Sequence, residues 1–249
     1  MAFEVDHIVI IVHDLEQAIE DYRALGFVTH YGGEHADGKT HNALIVFRDG
    51  TYLELLAPTR PTLLQELDPR DRSNFLFLLA GGEGFGGYAL VSEKLEEDIA
   101  KLIQNEVLVE LKPPAGRNRP DAVQLQWRTG MLQSGSMTPF FIQDITPREL
   151  RVPITTEWTD YPNDAIGIRE IKISTSHLEE TKILYQTSGA DEVLNNGKEI
   201  TYNLQSKIIK LVAKPEGDDQ IQSITISARS RISLNTELTH QALIQLSAE

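Results

Sequence analysis

The feature that most constrains this 249-residue chain is an internal repeat. DHIVIIVHDLEQAIEDYRALGF passes from an apolar run into a helical pattern. Leu15, Ala18, Ile19, Tyr22 and Leu25 fall on one face, with Asp14 at the N-cap and Gly26 at the end. REIKISTSHLEETKILYQTSGA has the same layout, and Leu178, Tyr185 and Gly189 match Leu15, Tyr22 and Gly26 at one offset of 163. GGYALVSEKLEEDIAKLIQNEV repeats it more faintly, Leu95 and Ile99 matching Leu15 and Ile19 at an offset of 80. Strand-like runs follow each helix: FVTHY, NALIVF and TYLELLA after the first, segments near 107–111, 123–128 and 139–145 after the second, and 199–204, 207–212 and 221–228 after the third. The chain therefore divides into three β-α-β-β-β units beginning near residues 3, 85 and 167. Two paired units occupy 1–153. The third occupies 165–249, with the tail LNTELTHQALIQLSAE read as a closing helix.

Composition narrows the class of ligand. A net charge of −14 repels phosphate backbones and anionic lipid, so no nucleic acid and no membrane partner is expected, and a small-molecule ligand is. The absence of cysteine excludes disulfides, thiolate nucleophiles and cysteine-based zinc sites. The start MAFEVDH lacks a basic leader, and no apolar run approaches the ~20 residues of a membrane-spanning helix, which points to a cytoplasmic protein.

His7 is a polar misfit in the apolar first strand, where an imidazole costs free energy unless it finds a partner. Strand alternation puts Val5, His7, Val9 and Ile11 on one face, and in the fourth strand Tyr52, Glu54 and Leu56 share a face. The plain alternatives are a hydrogen-bonded core histidine and a Glu54 paired with a base such as Arg128.

These tandem units, with His in a first strand and Glu in a fourth, resemble the vicinal oxygen chelate superfamily. DHIVIIVHDLEQAIEDYRALGF, GGEHADGKTHNAL, TYLELLAP and PFFIQDITPRELRVP resemble its glyoxalase-like-domain branch. The resemblance implies an α+β fold in which tandem β-α-β-β-β modules form half-open mixed-sheet barrels, the glyoxalase/bleomycin resistance/dioxygenase-like fold. It also implies that the first and fourth strands are neighbours, so that His7 and Glu54 converge on a divalent metal ion. Aligning the second unit on the first offers Gln143 opposite Glu54 and Gly87 opposite His7, which reduces the ligand set to His7, Glu54 and Gln143. A set that short leaves open a site with no metal.

Other residues could complete the site. His35 and His41 flank a glycine-containing loop, His41 as a general acid-base and His35 as a substrate contact. Arg117, Arg119, Trp127 and Arg128 cluster in GRNRPDAVQLQWRTG, an anion-binding and aromatic wall or, more plainly, surface arginines and a core tryptophan. Of Phe140 and Phe141, one should line the cavity, and Phe141 is taken as that residue. His30 and His240 read as surface residues. Gly82, Gly84 and Gly87 satisfy a dinucleotide-binding spacing, but the strand-like YALVSE follows where that motif needs a helix.

Two function classes follow. One is a glyoxalase-like enzyme, metal-dependent, acting on a small oxygenated substrate as lyase, isomerase or dioxygenase, with Glu54 and His41 in proton transfer and His35, Trp127, Arg128 and Phe141 on the substrate. The other is a drug-sequestering binding protein with a degenerate metal site. The third unit presents Glu170, Lys172 and Ser174 on the face corresponding to the cavity, and a second copy of the chain covering it would make a homodimer.

Overall fold

The repeat is built three times over in the structure, a computed structural model that describes residues 3–66, 75–133, 139–230 and 232–248. The first unit comprises β1 (Glu4–Ile11), α1 (Leu15–Ala24), β2 (His30–His35), β3 (Thr40–Val46) and β4 (Tyr52–Pro58). A 3₁₀ turn (Pro61–Gln65) and α2 (Phe75–Leu79) lead to the second: β5 (Gly84–Val91), α3 (Leu95–Gln104), β6 (Val109–Leu111), β7 (Ala115–Asn118), β8 (Gln124–Leu132) and β9 (Phe140–Asp144). After α4 (Arg148–Arg151) and α5 (Thr156–Thr159) come β10 (Ala165–Thr175), α6 (Leu178–Thr187), β11 (Asp191–Asn195), β12 (Glu199–Leu204), β13 (Lys207–Ala213), β14 (Gln220–Ala228) and β15 (Ile244–Ala248).

Of the three repeat helices α1, α3 and α6, the first starts, and all three stop, as the repeat predicts; α3 and α6 begin without a side-chain cap. The Asp14 side chain accepts from Gln17 N at 3.1 Å, satisfying an otherwise unpaired donor of the first turn. Each helix is followed by a residue at positive φ: Gly26 (85°), Glu106 (66°) and Gly189 (84°), at the offsets of 80 and 163. The second unit thus keeps the left-handed stop without the residue that makes it cheap.

In every unit the first and last strands are parallel neighbours: β1 with β4, β5 with β9, β10 with β13. Antiparallel pairing of β1 with β5 joins the first two units into a nine-stranded sheet, which the β8–β9 pairing closes into a ring of eight strands, with β6 attached outside. The seam between β2 and β7 is two residue pairs long, Glu34 with Asn118 and His35 with Arg117. The third unit, together with β14 and β15, forms a separate six-stranded sheet, β11-β12-β13-β10-β14-β15, which stays open. Its outer face shares one continuous apolar core with the barrel, running from Phe3 and Ile8 through Tyr22 to Tyr185, Ile209 and Leu246.

The tail differs from expectation. Instead of a closing helix it forms a 3₁₀ turn (Thr236–Thr239) and β15, paired in parallel with β14. His240 and Gln241 adopt positive φ (51° and 62°), which no helix continues through, and Ile244 and Leu246 then alternate inward as in a strand. Since β14 pairs with β10 as β5 does with β1, and β15 with β14 as β9 does with β5, the tail is the remnant of a fourth unit that lacks its helix and two of its strands. His240 lies between Glu83 (2.9 Å) and Asp21 (3.1 Å), fastening the tail to the barrel, so it is not a surface residue.

Candidate active site

Inside the ring, strand alternation sorts the residues. Val9, Ile11, Leu56, Phe140 and Ile142 form an apolar floor under Leu63, Leu76 and Leu79 of the segment between the first two units. Leu44, Val46 and Val152 pack with Trp158 at another wall. Between them lies a buried polar layer.

Its origin is a bulge in β1. Pairing with β5 steps from Val5 to His7 and skips Asp6, so Asp6 and His7 both reach the interior polar layer while Val5 joins the outer core. The simple alternation that put Val5 beside His7 is corrected by this extra residue. His7 Nδ1 lies 2.7 Å from Asp6 Oδ2, and His7 Nε2 lies 3.3 Å from Glu54 Oε2. Its ring stacks on Tyr52 at 4.5 Å and meets the Phe140 edge at 5.4 Å. Asn42 Nδ2 donates to Glu54 Oε1 at 2.6 Å, and Arg117 Nη1 donates to Asn42 Oδ1 at 2.9 Å. Gly32 makes room for that contact: a Cβ there would lie 2.3 Å from Asn42 Oδ1 and 2.5 Å from Arg117 Nη1. Behind Asp6, Arg151 donates to Asp6 (2.9 Å), to the Tyr52 hydroxyl (2.6 Å) and to Asp144 (2.5 Å), and Arg148 also pairs with Asp6.

The charges follow from these contacts. Burial alone would raise the Asp6 carboxyl, but Arg151, His7 and Arg148 hold it well below the usual carboxylate range. Burial would likewise depress His7, yet hydrogen bonds to two carboxylates outweigh it and raise the imidazole above its ordinary value. Burial works against ionised Glu54 too, and His7, His35 and Asn42 bring it down to about 2. Both carboxylates thus favour the imidazolium form of His7, in which each ring nitrogen is a donor. His35 differs: burial lowers its pKa, its Nδ1 meets Thr40 Oγ1 at 2.8 Å, and its Nε2 lies 3.8 Å from Glu54 Oε1.

The structure brings together His7, Glu54, His35 and Trp127, whose ring meets the His35 edge at 5.9 Å. It places four expected site residues elsewhere. His41 is half-buried against Tyr31, with Asn42 taking the inward position beside it in β3. Gln143 sits on the opposite face of β9 from Phe140 and donates to Glu93 O at 2.5 Å; Asp144 is the inward residue. Arg128, paired in register with Gln143, forms an ion pair with Glu96 of α3 outside the ring. Phe141 packs in the outer core 4.8 Å from Phe3, and Phe140 lines the interior. His30 is not a free surface residue, since it stacks on Trp158 at 3.8 Å.

A divalent ion, which the resemblance implies, meets a poor donor set. At the second-unit positions matching His7 and Glu54 stand Gly87 and Phe140, neither of which can ligate. His7 Nε2 is committed to Glu54, and a buried cation, Arg117, stands one residue beyond that carboxylate. Among the described residues, no three His, Asp or Glu side chains are grouped as ligands. The residues present do not fit a chelated dication.

Asp6, Asn42, Arg117, Arg151 and Asp144 complete the layer. Of these only Arg117 carried a signal in the sequence, through its cluster; Asp6, next to His7 in an apolar run, was the other available clue.

A family model described as a glyoxalase-like domain matches residues 5–189. No curated protein sequence matches the chain. Among solved structures, a hypothetical protein from Staphylococcus aureus is similar over 99% of this chain and 100% of its own, at 16% identity and a TM-score of 0.80. A 4-hydroxymandelate synthase variant from Streptomyces coelicolor aligns at 10% identity and a TM-score of 0.57, covering 91% of this chain and 71% of that one. An Mn(II)-bound glyoxalase from Novosphingobium aromaticivorans aligns at 12% identity and a TM-score of 0.53, covering 91% and 66%. At these identities the likeness establishes the fold alone. Among the described residues, no helix is long and apolar enough to cross a membrane.

Proposed function

Since this chain belongs to the glyoxalase-like domain family, we propose that its closed barrel is an enzyme active site that moves a proton on a small oxygenated substrate, with lyase or isomerase chemistry carried by Glu54 and His7. The observation that carries this reading is the Asp6–His7–Glu54 chain: an imidazole fixed by one carboxylate and facing a second, in a buried layer.

Glu54 is a weak base while His7 touches it. A substrate carbonyl oxygen that takes the His7 Nε2 hydrogen would part the pair. Glu54, relieved of its closest cation, then becomes more basic and stands beside the C–H next to that carbonyl. Glu54 accepts the carbon-bound proton, the electron pair moves onto the carbonyl oxygen, and His7 stabilises the developing enolate. Returning the proton to another carbon isomerises the substrate; losing a leaving group from the neighbouring carbon makes the reaction a lyase step. Asp6 acts as a positioning residue that holds the imidazole upright, and His35 and Trp127 contact the substrate.

The test is hydrogen exchange. The protein is incubated in D₂O with a panel of small hydroxycarbonyl and dicarbonyl compounds, and loss of the adjacent C–H signal is followed by proton NMR. Exchange above background for some of the panel, abolished in Glu54→Gln, supports the reading. Exchange at the same rate in wild type and variant across the panel contradicts it.

A further inference from the structure

Arg117 is 4% exposed, and its only hydrogen bond among the described residues is the one to the neutral Asn42 amide oxygen. No described carboxylate lies within ion-pair distance of it, and its Nε is buried without a partner. The other arginines nearby are provided for: Arg151 by Asp6 and Asp144, Arg119 by Asp121. A buried guanidinium with no carboxylate in contact is costly: burial depresses its pKa, against the charge of Glu54 beyond Asn42, which raises it. It is also a guanidinium with most of its five donors uncommitted.

Arg117 lines a cavity of about 200 Å³ on the flank of the barrel, together with Arg119 and Arg151, Tyr31, and the stacked pair His30 and Trp158. Asp121, which also lines the recess, pairs with Arg119, and Asp6 and Asp144 pair with Arg151, so the positive charge left uncontacted in the recess is that of Arg117, in a protein whose net charge is −14. Its aromatic wall offers a flat ligand a stacking surface, and the His30 Nε2 is a second buried polar atom with no partner. The volume is smaller than a drug-sized site of roughly 300–1,000 Å³, so the ligand must be small.

We propose that this cavity is a binding site for a small planar carboxylate, with Arg117 as the cation that recognises it and the His30–Trp158 wall stacking on its plane. A carboxylate matches a guanidinium fork in shape and charge, a neutral ligand lacks the charge, and a tetrahedral anion, which the fork also accepts, has no flat face for the His30–Trp158 wall. Asn42 links Arg117 to Glu54, so an anion on Arg117 sits three hydrogen bonds from the proposed base, its own contact included. The assignment does not rest on the proton-transfer reading, because binding is measured without turnover.

The probe is benzoate, with benzamide as its neutral analogue and inorganic phosphate as a tetrahedral anion. Binding is followed by the rise in melting temperature and by tryptophan fluorescence. Saturable benzoate binding is expected, with benzamide and phosphate at least about tenfold weaker. Arg117→Met should lose benzoate binding by at least about tenfold. It also leaves the Asn42 Oδ1 acceptor without its donor, so Trp158→Leu, which leaves the polar layer untouched, is the second variant and should weaken benzoate several-fold. No saturable benzoate binding in the wild type, equal binding of benzamide, phosphate binding without benzoate, or unchanged benzoate binding in either folded variant would each overturn the proposal.

Discussion

The barrel and the open sheet carry the same framework with opposite charges. Both register shifts of β1, after Val5 and after Val9, recur in β10 after Ile168 and after Lys172, at the offset of 163. Arg169 therefore occupies the place of Asp6, Glu170 that of His7, and Lys210, by register, that of Glu54. Glu170 and Lys210 even form a 2.8 Å ion pair where His7 and Glu54 meet. What differs is closure. His7 and Glu54 side chains are 3% and 12% exposed, Glu170 and Lys210 20% and 33%. With β14 and β15 but no further strands, the second sheet cannot seal its inner face, and water screens there what the ring isolates. A pair becomes a potential chemical device only where the sheet closes over it.

The largest effect that would break this comparison lies behind His7. Arg151→Ala strips Asp6 and Asp144 of their buried partner, and should cost about 3–5 kcal/mol in urea denaturation. A loss no larger than that of an exposed pair would mean the barrel layer is as wet as the open sheet. A pH effect comes next. His7 has a raised folded pKa, so its stabilisation is complete below its ordinary value of 6.5 and is lost as pH rises through the raised one. Glu54, depressed to about 2, contributes above its ordinary value of 4.5 and is lost only as pH falls toward about 2. Stability should therefore drop on the alkaline side first, as pH rises above His7's ordinary value of 6.5, and Glu54→Gln should shift that drop to lower pH.

Smaller changes sharpen the repeat. Glu106→Gly restores at the end of α3 the residue found after α1 and α6, and should add up to about 1 kcal/mol. Lys210→Ala, removing the open sheet's counterpart of Glu54, should cost no more than about 1 kcal/mol, read by the same denaturation series.

The sequence carried the repeat because helix faces, caps and apolar strands recur by spacing. That β1 and β4 are neighbours, which brings His7 and Glu54 together, is implied by the family resemblance; in the sheet His7 is in register with Tyr52 and Glu54 with Val9. What it hid depends on single-residue insertions and parity. The bulge that turns Asp6 inward leaves no local mark in FEVDHIVIIV, and one step of parity in FFIQDI exchanges Phe141 and Gln143 for Phe140 and Asp144. The short strand Ala115–Asn118, which delivers Arg117, has no apolar alternation to announce it, since its role is to close a two-pair seam. The tail read as a helix because it is a unit remnant whose pairing partner, β14, is set only by the tertiary fold.

Nitrogen-15 NMR of histidine-labelled protein reads the protonation of His7 between its two carboxylates. Both His7 ring nitrogens should be protonated at neutral pH, with a titration midpoint above 6.5 that falls in Glu54→Gln. A neutral His7 tautomer at pH values where a free imidazole is already protonated would contradict this expectation.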